Sequence, residues 1–256
     1  MTYQLAEWYV MYHLIARVCF VESGVTGRWA GQRERRRVEF VDAALSAIAE
    51  HGPQTSTEQI AAHVGVTRTK LYRHFAGAAD LQRAIAQRAA EMLNTELAPL
   101  WTPHGSMAQI IGASVGAHVR FLVEHRNLYR YLARCSLGED ASTPDAIADI
   151  RLTIGTQLGE LFTVYLNAFG VSTDPQPLAF AIVGLVESTT GRWLDQPGST
   201  AQDRLVADLV RWIWLLVDDT LRAGGVYLDS AEPLPTPDVI AARAETYRNP
   251  GRVGLA

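Results

Sequence analysis

The sequence predicts an all-α fold, and three observations support that prediction. Apolar residues recur every three or four positions along most of the chain, which places them on one face of a helix. Runs of alternating Val, Ile and Thr, the pattern of strands, are almost absent. Short stretches rich in Gly, Pro, Ser or Asp separate the apolar segments. The expected organisation is an N-terminal extension (1–32), a three-helix domain (33–80), a larger helical domain (81–224) and a C-terminal tail (225–256).

Charge is unevenly distributed along the 256 residues. Hydrophobic residues make up 48% and charged residues 20%, which is ordinary for a globular protein and argues against a wholly disordered chain. The net charge is −4, yet residues 28–75 carry eight Arg or Lys against five Asp or Glu, and Lys70 is the only lysine. The front of the chain is therefore modestly basic. Cys19 and Cys135 lack metal-ligand spacing, so we expect no metal site and a reducing, cytoplasmic setting.

The N-terminal segment 7–21, EWYVMYHLIARVCFV, is apolar but too short to span a membrane, and it contains His13 and Arg17. Glu7 precedes the apolar run, where a secretory signal has positive charge. We expect an amphipathic helix that packs on the body or on a partner and is dispensable for the main function. A start codon downstream of this segment is the alternative.

The first helix of the three-helix domain is expected from about residue 34 to residue 50. His51-Gly52-Pro53 stops it, because Gly and Pro terminate helices. Its expected apolar stripe consists of Val38, Val41, Leu45, Ile48 and Ala49.

Two shorter helices are expected to follow. Thr55 stands three residues before Glu58, which is the spacing of a capping box at the start of the second helix. That helix ends at Gly65. The third helix opens at Thr67, a favourable N-cap, and runs through Phe75.

The rest of the chain is expected to form longer helices. A fourth helix should occupy residues 76–101 and close at Pro99. Prolines at 233, 235 and 237 predict an extended start to the tail, before a short helix at 238–247. Between them, helices are expected at 106–124, 127–137, 144–169, 176–194 and 201–223.

The stretch VTRTKLYRHF, residues 66–75, is the most informative pattern in the chain. Ile60, Ala61 and Val64 should share a core with Leu71 and Phe75, across the tight turn at Gly65-Val66. A helix that enters the DNA major groove needs a small, basic, hydrogen-bonding outer face. The side chains expected to face outward and contact DNA are Thr67, Arg68, Thr69, Lys70, Tyr72, Arg73 and His74.

Arginines just before the first helix form a second candidate DNA contact. Arg35, Arg36 and Arg37 are expected to lie along the phosphate backbone or in the adjacent minor groove. A merely solvated basic surface is the alternative. The ordered combination of capping box, turn glycine, N-cap and basic helix favours DNA binding.

With this combination, residues 35–85 resemble the tetracycline-repressor (TetR) family of one-component regulators. The resemblance centres on IAAHVGVTRTKLYRHFAGAADL, with its Thr cap, Leu-Tyr-x-His-Phe and downstream Leu81. It implies an all-helical homodimer with an N-terminal DNA-binding domain and a C-terminal ligand-binding domain. It also implies a repressor released by a small molecule. Ala76-Gly77-Ala78 departs from the family's usual Pro-Ser-Lys and lacks a lysine that would hold a phosphate. The upstream arginines are expected to compensate.

The C-terminal domain offers candidates for an effector pocket between the helices at 106–170. Arg126, Arg130 and Arg134 share a helix face. They could form an anion site, but the favoured interpretation is a solvated face paired with nearby acids. We expect an apolar effector, lipid-like or drug-like. The expected pocket residues are Trp101, His118, Phe121, Tyr129, Phe162, Tyr165 and Phe169.

The helices at 177–194 and 201–223 are candidates for a dimer interface. The second is apolar over a wide arc, so both sides of it must be covered. The resemblance implies that these two helices form a four-helix interface with a second copy; an intramolecular pair is the alternative. The expected interface residues are Phe180, Gly184, Glu187, Leu209, Trp212, Ile213 and Leu216.

The chain lacks the motifs of an enzyme. It has no Gly-rich phosphate loop, HExxH or GxSxG, so no cofactor is expected. The favoured function is a ligand-responsive repressor that binds a palindromic double-stranded operator as a homodimer, with no membrane partner. The alternative is a non-enzymatic helical interaction protein whose DNA-binding domain is degenerate.

Overall fold

The computed structural model describes residues 27–136, 146–196, 198 and 200–248. The expected helix at 7–21, Cys19 and the expected loop at 137–144 lie outside the described residues. The described part of the chain is all-helical and contains no strand, which confirms the predicted fold class. One isolated bridge pairs Ser106 with Pro233.

The first three helices form the head of the molecule. They are α1 (Gly27–His51), α2 (Thr57–His63) and α3 (Arg68–Leu71). Ile60, Leu71 and Phe75 are buried in one core, as expected, and Val64 packs against that core. From α1 the buried residues are Phe40, Val41, Ala44, Ala47 and Ile48.

Two expectations for α1 were wrong. The helix begins at Gly27, so Arg35, Arg36 and Arg37 lie within it and not before it. The buried stripe is also rotated, because Val38 is 49% exposed and Ala49 is exposed, while Phe40 and Ala44 are buried. The helix presents its larger apolar side chain, Phe40, to the core.

The capping box of α2 lies one residue later than expected. Ser56 is the N-cap; its hydroxyl accepts from the Gln59 backbone N–H, and the Gln59 side chain accepts from the Ser56 N–H. Thr55 is buried instead, and its hydroxyl donates to the Gly52 carbonyl. The physical logic of reciprocal capping holds, but the residue that performs it is Ser56.

Helix α4 (Ala78–Glu96) connects the head to the rest of the chain, which we call the body. Its first half, with Leu81, Ile85 and Ala86, completes the core of the head. The expected single helix over 76–101 is interrupted at Leu97, and α5 (Ala98–Trp101) follows as a separate turn.

Five long helices build the body, close to their expected bounds. They are α6 (Met107–Glu124), α7 (Arg126–Ser136), α8 (Ala146–Phe169), α9 (Gln176–Asp195) and α10 (Gln202–Ala223). Helix α8 packs against α4, α7 and α9, and α10 packs against α6 and α9. No helix among the described residues is long and apolar enough to cross a membrane.

The C-terminal segment is part of the body. Val226 and Ile240 are fully buried in the body core, and the Leu234 N–H donates to the Gly105 carbonyl at 2.8 Å. The helix expected at 238–247 is divided into α11 (Pro237–Ala242) and α12 (Ala244–Arg248). Residues 225–248 therefore close one side of the body.

Candidate nucleic-acid interface and internal cavity

Helix α3 presents a polar face at the surface of the head. Thr67 caps the helix, and its hydroxyl accepts from the Lys70 backbone N–H at 3.3 Å. Thr69, Lys70 and Arg73 are exposed, whereas Leu71 on the opposite side is fully buried. The buried leucine anchors the helix, and the exposed side chains are left free to meet a ligand. After Leu71 the chain continues in a turn through residue 74 and not in the expected regular helix.

Arg68 is exposed but engaged with neighbours. It donates to Glu58 on α2 at 2.5 Å, and its guanidinium lies over the Tyr72 ring at 5.3 Å. Tyr72 is half-buried against the core of the head. A polar ligand would have to compete with Glu58 for Arg68, so this arginine is held in position before any ligand arrives.

Arg37 does not face outward with the other arginines. Its guanidinium donates to the His74 carbonyl and to both oxygens of Asp80, at 3.1 and 3.3 Å, and it lies 4.4 Å above the Phe75 ring. These contacts tie α1 to the start of α4. Arg37 therefore positions the end of the expected DNA-contact segment, and its expected contact with DNA would require it to abandon these partners.

His74 is also half-buried. Its ring meets the Phe40 ring edge-on at 5.0 Å, and its Nδ1 has no hydrogen-bond partner. Burial lowers the pKa of His74, and the positive charges of Arg33, Arg36, Arg37 and Lys70 lower it further. His74 therefore faces outward only in part, and its ring is held between the core of the head and the basic residues around it.

The basic surface of the head follows from this arrangement. Arg35 and Arg36 are exposed on α1, and the Arg33 side chain reaches the Arg73 carbonyl at 3.5 Å. The N-terminal half of α1 and the end of the α3 segment are therefore adjacent. Positive charge gathered on one face is the arrangement that attracts a phosphate backbone.

The body encloses a cavity of about 230 Å³. Its wall is overwhelmingly aliphatic and aromatic, with contributions from α4, α6, α7, α8, α9, α10 and the C-terminal segment. Six of the seven expected pocket residues border it: His118, Phe121, Tyr129, Phe162, Tyr165 and Phe169. Trp101 does not, because its indole N–H turns away to donate to Asn94 at 2.9 Å.

Few polar side chains interrupt the cavity wall. Arg151 pairs with Glu187 at 3.1 Å, and the Tyr129 hydroxyl lies 3.5 Å from the other Glu187 oxygen. His118 borders the cavity with its Nε2 buried and without a hydrogen-bond partner, and burial lowers its pKa to about 4. The Ser114 hydroxyl donates to the Ile110 carbonyl of its own helix at 2.8 Å.

The expected interface residues divide between the interior and the surface. Leu209 and Ile213 are buried inside the protomer, so their expected place in an interface was wrong. Ile213 borders the cavity, as does Glu187 through its pair with Arg151. Phe180, Gly184 and Trp212 are partly exposed, and Leu216 is 38% exposed.

The reason for this division is the orientation of α10. Its inward row repeats every four residues and consists of Leu205, Leu209, Ile213, Val217 and Leu221. Leu215, which the sequence interpretation missed, is 54% exposed on the outer side beside Leu216. Open space surrounds the position that a side chain on Gly184 would occupy.

The three arginines of α7 tie the helix to its neighbours. Arg126 donates to the Leu194 carbonyl, Arg130 pairs with Asp195 at 3.3 Å, and Arg134 donates to the Gln54 side chain. Only Arg130 has the acidic partner expected of it. None of the three borders the cavity, so an anion site there has no support in the geometry.

One surface cluster in the head contains metal-binding side-chain types. Ligand atoms of Glu50, His51 and His63 lie within 4.8 Å of one another, and all three residues are exposed. His63 lies 3.5 Å from Glu50, so the cluster already has an internal ion-pair geometry. We assign no ligand to it.

Two further residues matter to the geometry but were missed in the sequence. Asp80 accepts from Arg37 and from the Ala76 backbone N–H at 2.9 Å, so it holds the turn at Ala76-Gly77-Ala78 that leads into α4. Gly77 adopts a φ of 110°, which favours glycine. A carboxylate four residues after the expected start of the fourth helix was the available clue, because it can reach back to backbone N–H groups before the helix.

A short α2–turn–α3 unit with a basic outer face, mounted on a helical body, defines a helix-turn-helix DNA-binding transcriptional regulator. Comparison with known families agrees. Residues 40–89 match the family "Bacterial regulatory proteins, tetR family", and residues 107–216 match "Tetracyclin repressor-like, C-terminal domain". The chain belongs to the TetR family of transcriptional regulators, which confirms the resemblance seen in the sequence.

Individual relatives agree with this assignment. The chain is 29% identical over 231 residues to an uncharacterised HTH-type transcriptional regulator of Mycobacterium tuberculosis, covering 89% of this chain and 97% of the relative. It is 35% identical over 68 residues to the HTH-type transcriptional repressor LfrR of Mycolicibacterium smegmatis, covering 27% of this chain and 35% of LfrR. No enzyme family is indicated.

The fold has solved counterparts. A tetR-family transcriptional regulator from Streptomyces coelicolor superimposes with a TM-score of 0.58 at 21% identity, covering 84% of this chain and 90% of that one. At this identity the likeness concerns the fold alone, which it supports over both the head and most of the body.

Proposed function

We propose that this regulator is a non-enzymatic, homodimeric repressor of the cytoplasm that binds a palindromic operator and releases it when a small, largely apolar effector enters the cavity. The observation that carries this proposal is the continuity between the core of the head and the cavity wall. Five residues line the cavity and also pack in or against the core of the head: Ala89 of α4, Leu128 and Leu132 of α7, and Ile147 and Ile150 of α8.

This shared wall provides a route for coupling. A ligand that moves α4 or α7 displaces side chains that also hold the head in place. The core of the head is densely packed, so a displacement that reaches it is transmitted and not absorbed locally. For the effector to release DNA, it must bind more tightly to the arrangement in which the two heads no longer fit the operator.

In the DNA-bound state, we assign base-edge contacts to Thr69, Lys70 and Arg73. They are exposed on the face of the α3 segment opposite the buried Leu71. Lysine and arginine reach guanine acceptors, and threonine can touch a thymine methyl group. Arg35 and Arg36 are assigned to phosphates. They take over the anchoring that Ala76-Gly77-Ala78 cannot provide, since that tripeptide lacks a lysine.

The homodimer is proposed to form through the outer faces of α9 and α10. Leu215 and Leu216 are exposed on α10, and exposed leucines that adjoin each other favour a partner surface. Gly184 on α9 leaves room for close helix approach. A two-fold axis through this surface would give two heads, which matches a palindromic operator.

The DNA part of the proposal is tested by fluorescence anisotropy with tiled DNA from around the gene, in excess random competitor. We expect tight, competitor-resistant binding to one near-palindromic tile. Lys70→Ala should weaken it by about 10- to 100-fold, the effect of losing one good base contact. Arg243→Ala, an exposed arginine of the body, serves as the control. Binding abolished by random DNA on every tile would favour the alternative, an interaction protein with a degenerate head.

The dimer part is tested by analytical ultracentrifugation. Leu215→Glu should convert the dimer to a monomer, because it places a charge in an apolar contact. Leu152→Glu changes a similarly exposed leucine on α8 and should leave the dimer intact. A dimer that survives the first substitution and dissociates with the second would place the interface on α8.

A further inference from the structure

The cavity carries information about the chemistry of its ligand, in addition to its size. Two side chains on its wall carry full formal charges, Arg151 and Glu187, and they pair with each other at 3.1 Å. Their charges cancel. His118 stays neutral at physiological pH, because burial depresses its pKa to about 4. An anionic ligand would therefore find no unpaired cation among these three groups.

Arg151 keeps a buried Nε without a hydrogen-bond partner, although its guanidinium pairs with Glu187. The other described residue of the wall with a buried nitrogen that lacks a partner is His118. Its Nε2 is buried and has no hydrogen-bond partner, whereas Ser114, one turn earlier on α6, spends its hydroxyl on the Ile110 carbonyl. Neutral imidazole offers one donor and one acceptor nitrogen. A buried polar group without a partner is destabilising, so a ligand atom that bonds it gains affinity.

From this geometry we infer that the cavity binds a neutral, elongated apolar molecule whose single hydroxyl or carbonyl oxygen hydrogen-bonds His118, and that it discriminates against carboxylates of the same chain length. The inference rests on the proposed function, since it concerns the ligand of the same cavity. Moving a carboxylate from water into apolar surroundings without a cation is costly. The desolvation cost of a hydroxyl or carbonyl oxygen is much smaller, and that oxygen can hydrogen-bond the His118 imidazole.

The remaining polar groups of the wall fit this reading. The Tyr129 hydroxyl points to Glu187. Burial raises the pKa of Tyr129 and the Glu187 carboxylate raises it further, so the tyrosine remains a neutral donor. His125, which directly follows α6, also borders the cavity, and its ring packs against the Phe121 ring at 4.6 Å. The aliphatic and aromatic remainder of the wall supplies affinity for the hydrocarbon part of the ligand.

The test compares 1-decanol with decanoate, which have the same chain length and differ in charge at pH 7.5. Isothermal titration calorimetry of the full chain, without DNA, should give a dissociation constant at least about tenfold lower for decanol. Equal affinity, preference for decanoate, or no binding of either probe would overturn the inference.

Variants of His118 separate its hydrogen bond from its volume. His118→Phe should weaken decanol binding by about tenfold, while His118→Gln, which keeps a hydrogen-bonding group, should retain most of it. His104→Phe makes the same change at an exposed histidine that does not border the cavity and should leave the affinity unchanged. Equal decanol affinity in wild type and His118→Phe would show that His118 does not hydrogen-bond the ligand. Thermal denaturation of each variant verifies that it is folded.

The inference and the proposed function fail in different ways. Decanol that binds without changing operator affinity would uphold the cavity chemistry and refute release by a cavity ligand. Operator release by decanoate and not by decanol would uphold ligand control and overturn the neutral-ligand inference.

Discussion

The head and the body use buried space in opposite ways. In the head, Ile48, Ile60 and Leu71 are fully buried in one contiguous core, and the polar residues of α3 lie on the outside. In the body, α6 to α10 surround a cavity of about 230 Å³, and the buried imidazole of His118 has no partner at its Nε2.

This difference indicates a division of labour. A filled core holds a short helix such as α3 in one position, and α3, at four residues, is too short to be stable alone. A hollow core leaves room for a ligand among its side chains. The residues shared by both, such as Ala89 and Leu132, are where a change in one region can reach the other.

The largest expected effect is on stability when a core side chain of the head is shortened. Leu71→Ala should lower the free energy of unfolding by about 3 kcal/mol, because it leaves a void in a filled core. Leu161→Ala, at the half-buried edge of the cavity, should cost only about 1 kcal/mol, because that side chain already has fewer neighbours to lose.

Urea unfolding of both variants at one protein concentration, followed by circular dichroism, measures this difference. Comparable losses of stability would contradict the distinction between a filled head and a hollow body. Lys70→Ala, an exposed change next to Leu71, is the control and should leave the stability within about 0.5 kcal/mol of wild type.

The same division explains what could be predicted from the sequence. The head is specified by neighbours in the sequence: a turn glycine, a Thr67 cap and a helical repeat of apolar residues predicted α2, α3 and their shared core. The errors in the head concerned which of several adjacent residues is buried or caps a helix. The stripe of α1 and the capping residue of α2 were each displaced by small steps, since several adjacent residues fit the same local pattern.

The body depends on contacts between distant segments, which a repeat along one helix does not specify. Helix α10 is apolar over a wide arc, so the sequence could not tell which side faces inward, and Leu209 and Ile213 were assigned to the wrong one. The burial of Val226 and Ile240 in the body core also depends on long-range packing. The cavity residues were easier to predict than the inward face of α10: six of the seven expected residues border the cavity.

A smaller effect is expected from the link between the head and α4. The hydrogen bonds from Arg37 lower the pKa of Asp80 below its usual value, and the hydrogen bond from the Ala76 N–H lowers it further. A carboxyl with a lowered folded pKa stabilises the protein above its unfolded pKa of about 3.9, and that contribution is lost as the pH falls through the folded pKa. Asp80→Asn should therefore cost about 1 kcal/mol at pH 7.

The pH dependence distinguishes this link from an ordinary loss of packing. The difference between wild type and Asp80→Asn should shrink as the pH falls from the unfolded pKa of about 3.9 through the lower folded pKa, because Asp80 then becomes protonated in both states. Asp42→Asn is the matched control, since Asp42 also joins α1 to α4, through Arg88 at 3.1 Å, but in an exposed pair. Its cost should stay below about 0.5 kcal/mol. A pH-independent cost for Asp80→Asn would rule out the charged link.

The smallest effect on stability, but a distinct one on DNA, is expected from the exposed arginines of α1. Arg35→Ala and Arg36→Ala should leave stability nearly unchanged, because the one ion pair involved, Arg36 with Glu39, is highly exposed. Each should reduce the slope of log K against log salt by about one, the effect of losing one phosphate contact. Arg243→Ala should leave that slope unaltered. If all three variants keep the wild-type slope, α1 does not lie on the DNA backbone, and the anchoring missing at Ala76-Gly77-Ala78 must come from elsewhere in the head.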